Sequence, residues 1–286
     1  MRIRNKGIFL YFIPVFVIIM FIYLIPICNT FYSAFFGSSA KGSVVFLGFE
    51  KFIRIRGIIW PTIWRTLVWT LGSIIPALIL GLIAALIFQK DFRFKKVLIA
   101  VCILPYTIPL IIVATSWTLM YQLDFGLINV FLRDLKIIKA PISFLSLYHA
   151  MASVIVARIW RSMPFAFISY YAALRSIPTD MYEAGEVDGA NGIQKLFYIT
   201  LPQLKPITAT TLIILTVWTF LVFDIVFAMT GGGPINTTSI ITIEIYKQLF
   251  GMQDMGAASA LSLIAIAILL GMTLIYWSIF KRGEQQ

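Results

Sequence analysis

Three charged side chains interrupt the apolar parts of this chain: Arg158 and Arg161 in one run, Asp224 in another. A charge at mid-membrane depth costs about 2.5–3.5 kcal/mol, so each needs a partner or a task. Arg158 and Arg161 stand one helical turn apart and share a helix face. Their guanidinium groups are suited to binding hydroxyls or an acidic group. Asp224 either forms a structural ion pair with one of them or faces the same ligand. Catalytic patterns are missing: the chain has no G-x-x-x-x-G-K-[ST], no H-E-x-x-H, no G-x-S-x-G and no carboxylate–histidine cluster. Its one histidine, His149, stands at the start of an apolar run and reads as an interfacial residue. Cys28 and Cys102 lie in apolar runs and give neither a disulfide framework nor a metal pattern. We expect no catalytic residue, metal site or cofactor site in this chain.

A second polar constellation fills residues of about 178–206. Pro178 disfavours helical geometry at Ile177 and so ends the preceding helix. Asp180 with Glu183 three positions on suggests a capping box. Tyr182 to Asp188 supply about two turns, and Gly189 stands where a left-handed C-cap is expected. Asn191 is placed to cap a second short helix holding Leu196, Phe197 and Ile199. Pro202 and Pro206 then break the chain, giving helix–turn–helix across the membrane surface. Ala184 and Gly185 keep the backbone low for close approach, while Glu183, Glu186 and Asp188 offer carboxylates to a partner. Two helices this short are not stable alone, so they need the membrane domain or a partner.

Helical membrane spans must position these groups. The 286 residues are 60% hydrophobic and 12% charged, against about 25% charge in a soluble domain. Apolar runs place six spans at about 8–36, 65–89, 97–122, 147–175, 207–230 and 256–280. Pro14 and Pro26 would kink the first. The fold class is therefore all-α membrane protein, one domain over 1–286. Met1 to Lys6 precede the first run as in a signal peptide, but the run is too long and lacks a cleavage site, so an uncleaved span is expected. With both termini cytoplasmic, inner loops and ends hold twelve Lys and Arg against nine outside, a bias in the expected direction. The net charge of +11 is spread between spans, which suits anionic lipid and not nucleic acid. Leu47 to Arg54 suits a short interfacial helix on the outer leaflet, or simply an amphipathic loop.

The run Glu183-Ala184-Gly185, three residues, Gly189, nine residues and Ile199-Thr200-Leu201-Pro202 resembles the EAA signature of ABC-importer permeases. It departs at Gly185, where the family has Ala. The segments Ile159 to Phe165, Ala172 to Pro178, Thr230 to Pro234, Gly256 to Ala260, Leu104-Pro105-Tyr106 and Gly48 to Phe52 are similar to elements of the maltose-type carbohydrate permeases. Together they cover about residues 47–280. The resemblance implies a coupling helix, with Tyr182, Glu183, Ala184, Gly185, Asp188, Gly189 and Ala190 contacting an ATPase. It implies an outer-gate loop at Gly231, Gly232, Gly233 and Pro234. Its sugar site maps onto Arg158, Arg161, Ser162, Phe165, Leu215, Trp218 and Thr219, with Asp224 nearby. Arg158 and Thr219 replace Asn in the maltose permease, which argues against maltose, and two arginines suit an anionic saccharide.

The partners so implied are a second homologous permease, two copies of a P-loop ATPase that bind ATP-Mg, an extracytoplasmic sugar-binding protein and a carbohydrate. The setting implied is a bacterial or archaeal inner membrane. The alternatives are a stand-alone ion-coupled carrier and an ABC importer for a polyol such as a glycerol phosphate. A membrane scaffold is a third reading.

Overall fold

The computed structural model describes residues 8–38 and 43–282. Arg2, Arg4, Lys6 and Lys41, part of the charge count above, lie outside the described residues. In chain order the helices are α1 Ile8–Ile19, α2 Ile25–Phe35, α3 Glu50–Arg54, α4 Arg56–Gln89, α5 Lys95–Thr107, α6 Leu110–Met120 and α7 Leu127–Asp134. They continue as α8 Ala150–Arg175, α9 Thr179–Val187, α10 Gly192–Lys195, α11 Leu201–Phe220, α12 Asp224–Thr230, α13 Ile241–Tyr246 and α14 Met255–Arg282. A small hairpin pairs Phe36–Ser38 with Val44–Phe46. Among the described residues four helices cross on length and composition, and six do if two bent pairs each count as one span. All six expected spans therefore have helical counterparts.

Two of those spans are broken. The third is α5 plus α6, meeting at 100°, and the fifth bends by 44° before α12. The first break has a chemical cause. Ile108 and Pro109 are extended, and Pro109 has no amide hydrogen to continue the ladder. The first span meanwhile stays helical through Pro14, with a wide turn of π-helix at Met20–Leu24 just before Pro26.

The chain divides into two compact units, residues 1–61 with 244–268, and residues 62–243 with 269–286. In the first, Ile55, Ala257, Ala260 and Leu261 form a small core with Phe52, Ile58 and Ile59. A short helix, α3, is present within the Leu47–Arg54 stretch. Arg54 and Lys51 approach Asp254 at 3.1 and 3.7 Å, and Asp254 accepts the Ala257 amide at 2.9 Å. This carboxylate thus caps α14 and holds α3.

In the second unit one core gathers around Trp69, Val154, Ala157, Ile225 and Val226. The other gathers around Ile74, Ala166, Phe167, Leu174 and Leu215. Small residues bring α4 onto α8: a Cβ at Gly81 would stand 2.6 Å from the Ala166 Cβ and 2.8 Å from the Phe167 amide. Backbone cannot move aside as a side-chain tip can. Gly81→Val is expected to cost about 1–3 kcal/mol by overpacking. It should lower the melting temperature of the detergent-solubilised protein well below that of Gly271→Val, where nothing lies within 4 Å of the added carbon. Equal melting temperatures would remove the packing argument.

Candidate functional site

A cavity of about 450 Å³ opens in the second unit. Its walls come from α8 and from both broken spans. Arg158, Arg161 and Ser162 contribute from α8, Leu215 and Trp218 from α11. Tyr106 and Leu110 flank the α5–α6 break, and Leu221, Val222, Phe223 and Asp224 span the break before α12. Six of the eight residues singled out for the substrate pathway thus line one cavity. The other two support it. The Phe165 ring lies 4.9 Å from that of Trp218 and 5.8 Å from that of Tyr106, and Thr219 holds Arg158.

Each polar contact here answers a need. Arg158 is buried and donates from Nε and Nη2 to Thr219 Oγ1 at 3.2 and 3.0 Å. The Thr219 carbonyl accepts from Trp69 Nε1 at 2.9 Å. Arg161 donates from Nε to the Ile108 carbonyl at 3.2 Å, an acceptor released by the break in the third span. Its guanidinium also lies 4.4 Å from the centre of the Tyr106 ring, a cation–π contact. At the second break, Thr242 Oγ1 donates to the Val222 carbonyl at 2.9 Å.

The ion pair considered for Asp224 is not formed. Among the described residues it makes none with Arg158 or Arg161. It opens α12 at the cavity wall, while the arginines bond neutral oxygens. Tyr106, Leu110 and the stretch from Leu221 to Phe223 were missed as site residues. The paired prolines Pro105 and Pro109 were the available signal, because interrupted helices in membranes line cavities.

The segment 178–206 differs in part from expectation. Helix α9 starts directly after Pro178, and Asp180 makes no cap bond because it already lies inside the first turn. The C-terminus is as expected: Gly189 has φ +78°. The Ala190 amide donates to the Gly185 carbonyl at 2.8 Å, and the Gly189 amide to the Glu186 carbonyl at 3.0 Å, a Schellman closure. Asn191 and Gln194 form a reciprocal capping box. From there the helix does not end. A wide turn at Leu196–Thr200 leads straight into α11. Pro202 follows the wide turn directly, and Pro206 is carried inside α11.

Three contacts tie the two short helices together. Lys195 Nζ reaches Glu186 Oε1 at 2.6 Å, and that hydrogen bond holds the Glu186 carboxyl below its usual range. The Tyr182 and Thr200 hydroxyls lie 3.0 Å apart. A Cβ at Gly185 would meet the Ile199 Cδ1 at 2.9 Å, a flexible tip, so alanine fits only if Ile199 turns. Glu183, Ala184 and Asp188 are exposed, and so are the apolar Val187 (89%), Tyr198 (80%) and Ile193 (71%).

The glycines expected in the outer gate form a tight turn after α12. Gly231 and Gly232 adopt φ +58° and +88°, and Thr238 Oγ1 donates to the Gly233 carbonyl at 2.9 Å. His149 abuts the start of α8, its Nδ1 near Ser146 Oγ at 3.1 Å and the Ser143 carbonyl at 3.3 Å.

Fold and cavity define an all-helical membrane permease. A crystal structure of a bacterial ABC transporter that imports the acidic polysaccharide alginate contains a chain of the same fold. The TM-score is 0.84 at 22% identity, covering 98% of this chain and 96% of that one. Residues 77–282 match the binding-protein-dependent transport system inner membrane components, and the chain belongs to that family. A trehalose/maltose transport system permease protein, MalF, of Thermococcus litoralis is 30% identical over 285 residues, 96% of this chain and 94% of the relative. A sulfoquinovosyl glycerol transport system permease protein, SmoG, of Agrobacterium fabrum is 30% identical over 275 residues, 95% and 89% of the two chains.

Thr219→Val would leave the buried Arg158 guanidinium without its acceptor. The loss is expected to cost about 1–3 kcal/mol and to show as a lower melting temperature in detergent, whereas Thr219→Ser keeps the wild-type value. If the valine variant melts like wild type, the Arg158–Thr219 bond has no structural weight.

Proposed function

We propose that this chain is the permease subunit of an ATP-driven, binding-protein-dependent importer of a sugar or oligosaccharide, working by alternating access. The observation that carries the reading is the cavity between α8 and two broken spans. Aromatic faces at Tyr106, Phe165 and Trp218 stand beside guanidinium and hydroxyl donors. Such a wall suits a sugar, with C–H faces against rings and hydroxyls against polar groups. Relatives named as trehalose/maltose and sulfoquinovosyl glycerol permeases support the same class.

In this reading the chain performs no chemistry. ATP-Mg binds to two copies of a cytoplasmic ATPase, and a second, homologous permease completes the pore. An extracytoplasmic sugar-binding protein delivers the ligand near the Gly231–Pro234 turn. The chain lies in the inner membrane among lipids, with both termini in the cytoplasm. Tyr182, Glu183, Ala184, Gly185, Asp188, Gly189 and Ala190 form the ATPase contact. The exposed Val187, Ile193 and Tyr198 support this role, because water-facing apolar groups beside carboxylates suit a docking surface. The second helix of the segment continues through Leu196–Thr200 into α11, which carries Leu215, Trp218 and Thr219. A push on the docking segment is thereby passed to the cavity wall. ATP and the binding protein must each favour one pore state over the other, or nothing moves.

The test is mild-detergent purification of the tagged chain from its native membranes, with mass spectrometry of what accompanies it. A P-loop ATPase and a second permease are expected. Glu183→Arg should lose the ATPase and keep the permease. Recovery of the chain alone, beside a control importer that stays intact, would sink the importer reading.

A further inference from the structure

The cavity holds more positive charge than its walls balance. Arg158 is 5% exposed, yet both its hydrogen bonds go to one neutral hydroxyl, Thr219 Oγ1. Arg161 uses Nε on the Ile108 carbonyl, and its guanidinium lies 4.4 Å from the centre of the Tyr106 ring. Its two Nη groups have no protein acceptor among the described residues. No carboxylate among those residues forms an ion pair with either arginine. Asp224 faces the same cavity from the start of α12. Withdrawing a charged group from water costs several kcal/mol unless an opposite charge compensates. A hydroxyl, a carbonyl and a ring satisfy some donors but leave the charge itself.

We propose that the transported molecule supplies the missing charge: the cavity takes a saccharide bearing one carboxylate, of uronic-acid type, seated on Arg158 and Arg161. This rests on the sugar-import reading above and narrows it. Charge counting sets the valence. In the lining this chain supplies, two guanidiniums against Asp224 leave one positive charge, which a monoanion neutralises. A phosphate ester, near −2 at neutral pH, overshoots it. Shape sets the group, because a guanidinium presents parallel N–H donors that match the two oxygens of a carboxylate. The open Nη groups of Arg161 provide that fork, and Arg158 adds a buried charge one turn away. The ring of the sugar then lies against Trp218, which the Phe165 ring backs. Asp224, on another wall of the cavity, accepts its hydroxyls.

The test is equilibrium binding to the purified permease–ATPase complex in detergent, without the binding protein, so that only the cavity selects. The probes are a panel of uronic-acid disaccharides, each with its neutral counterpart carrying CH2OH in place of the carboxylate. Charge-assisted hydrogen bonds predict tighter binding of the matching acid by roughly tenfold or more, with the margin shrinking as salt rises. Arg158→Gln and Arg161→Gln should each remove most of that margin, and Arg158→Lys should retain part of it. The wild-type comparison decides without the variants. A neutral sugar bound as tightly as its acid overturns this inference and leaves sugar import standing, as does a margin indifferent to both glutamine variants. If no saccharide, neutral or acidic, binds to a complex with working ATPase, both readings fall.

Discussion

The second unit depends on one constraint: backbone broken inside hydrocarbon must find its hydrogen bonds elsewhere, since no water is there to supply them. Two spans are broken, and each break is repaired by side chains from other elements. Arg161 on α8 takes the Ile108 carbonyl, and Thr242 takes the Val222 carbonyl. Trp69 on α4 takes the Thr219 carbonyl. These repairs tie α4, α8 and α11 around a space that uninterrupted helices would have filled. Cavity and repair are therefore one construction, and the arginine that mends the third span also lines the cavity.

The spans were legible because roughly 20-residue apolar runs leave no other reading. The Gly189 turn and the Asn191 cap were legible because each depends on a few adjacent side chains. Asp180 was misjudged for a local reason: the proline before Thr179 let the helix begin two residues earlier than the capping pattern implies. The fate of Pro202 and Pro206 was not local. A proline interrupts a helix or rides within it according to what neighbouring elements supply, and that is tertiary information. The cavity was half legible. Arg158, Arg161 and Asp224 announced themselves as charges in apolar runs. Tyr106 and the Leu221–Phe223 stretch entered the site only through bends that apolar periodicity does not record. Asp224 was placed correctly near the arginines, but its distance from them needed coordinates.

The α9–α10 segment shows how little sequence can specify a helical pair. One glycine with positive φ, one reciprocal cap and one lysine–glutamate pair fix two helices that have almost no core of their own. The apolar side chains are thereby freed to point outward, where a packed mini-domain would have turned them in. Hydrogen bonds hold the pair together, and the apolar groups left over stay exposed.

The wide turn at Leu196–Thr200 has a geometric consequence. The Leu201 amide bonds the Leu196 carbonyl, five positions back, so the turn carries one residue more than an α-helix needs. Each α-helical residue advances the chain by about 100°. Loss of one residue there would restore regular geometry and rotate the faces of α11 by that angle relative to α9 and α10. Leu215 and Trp218 would then leave the cavity wall, and Thr219 would leave Arg158. The residue count of this turn therefore sets the angle of α11, while Ile199 and Thr200 within it also pack on Gly185 and Tyr182.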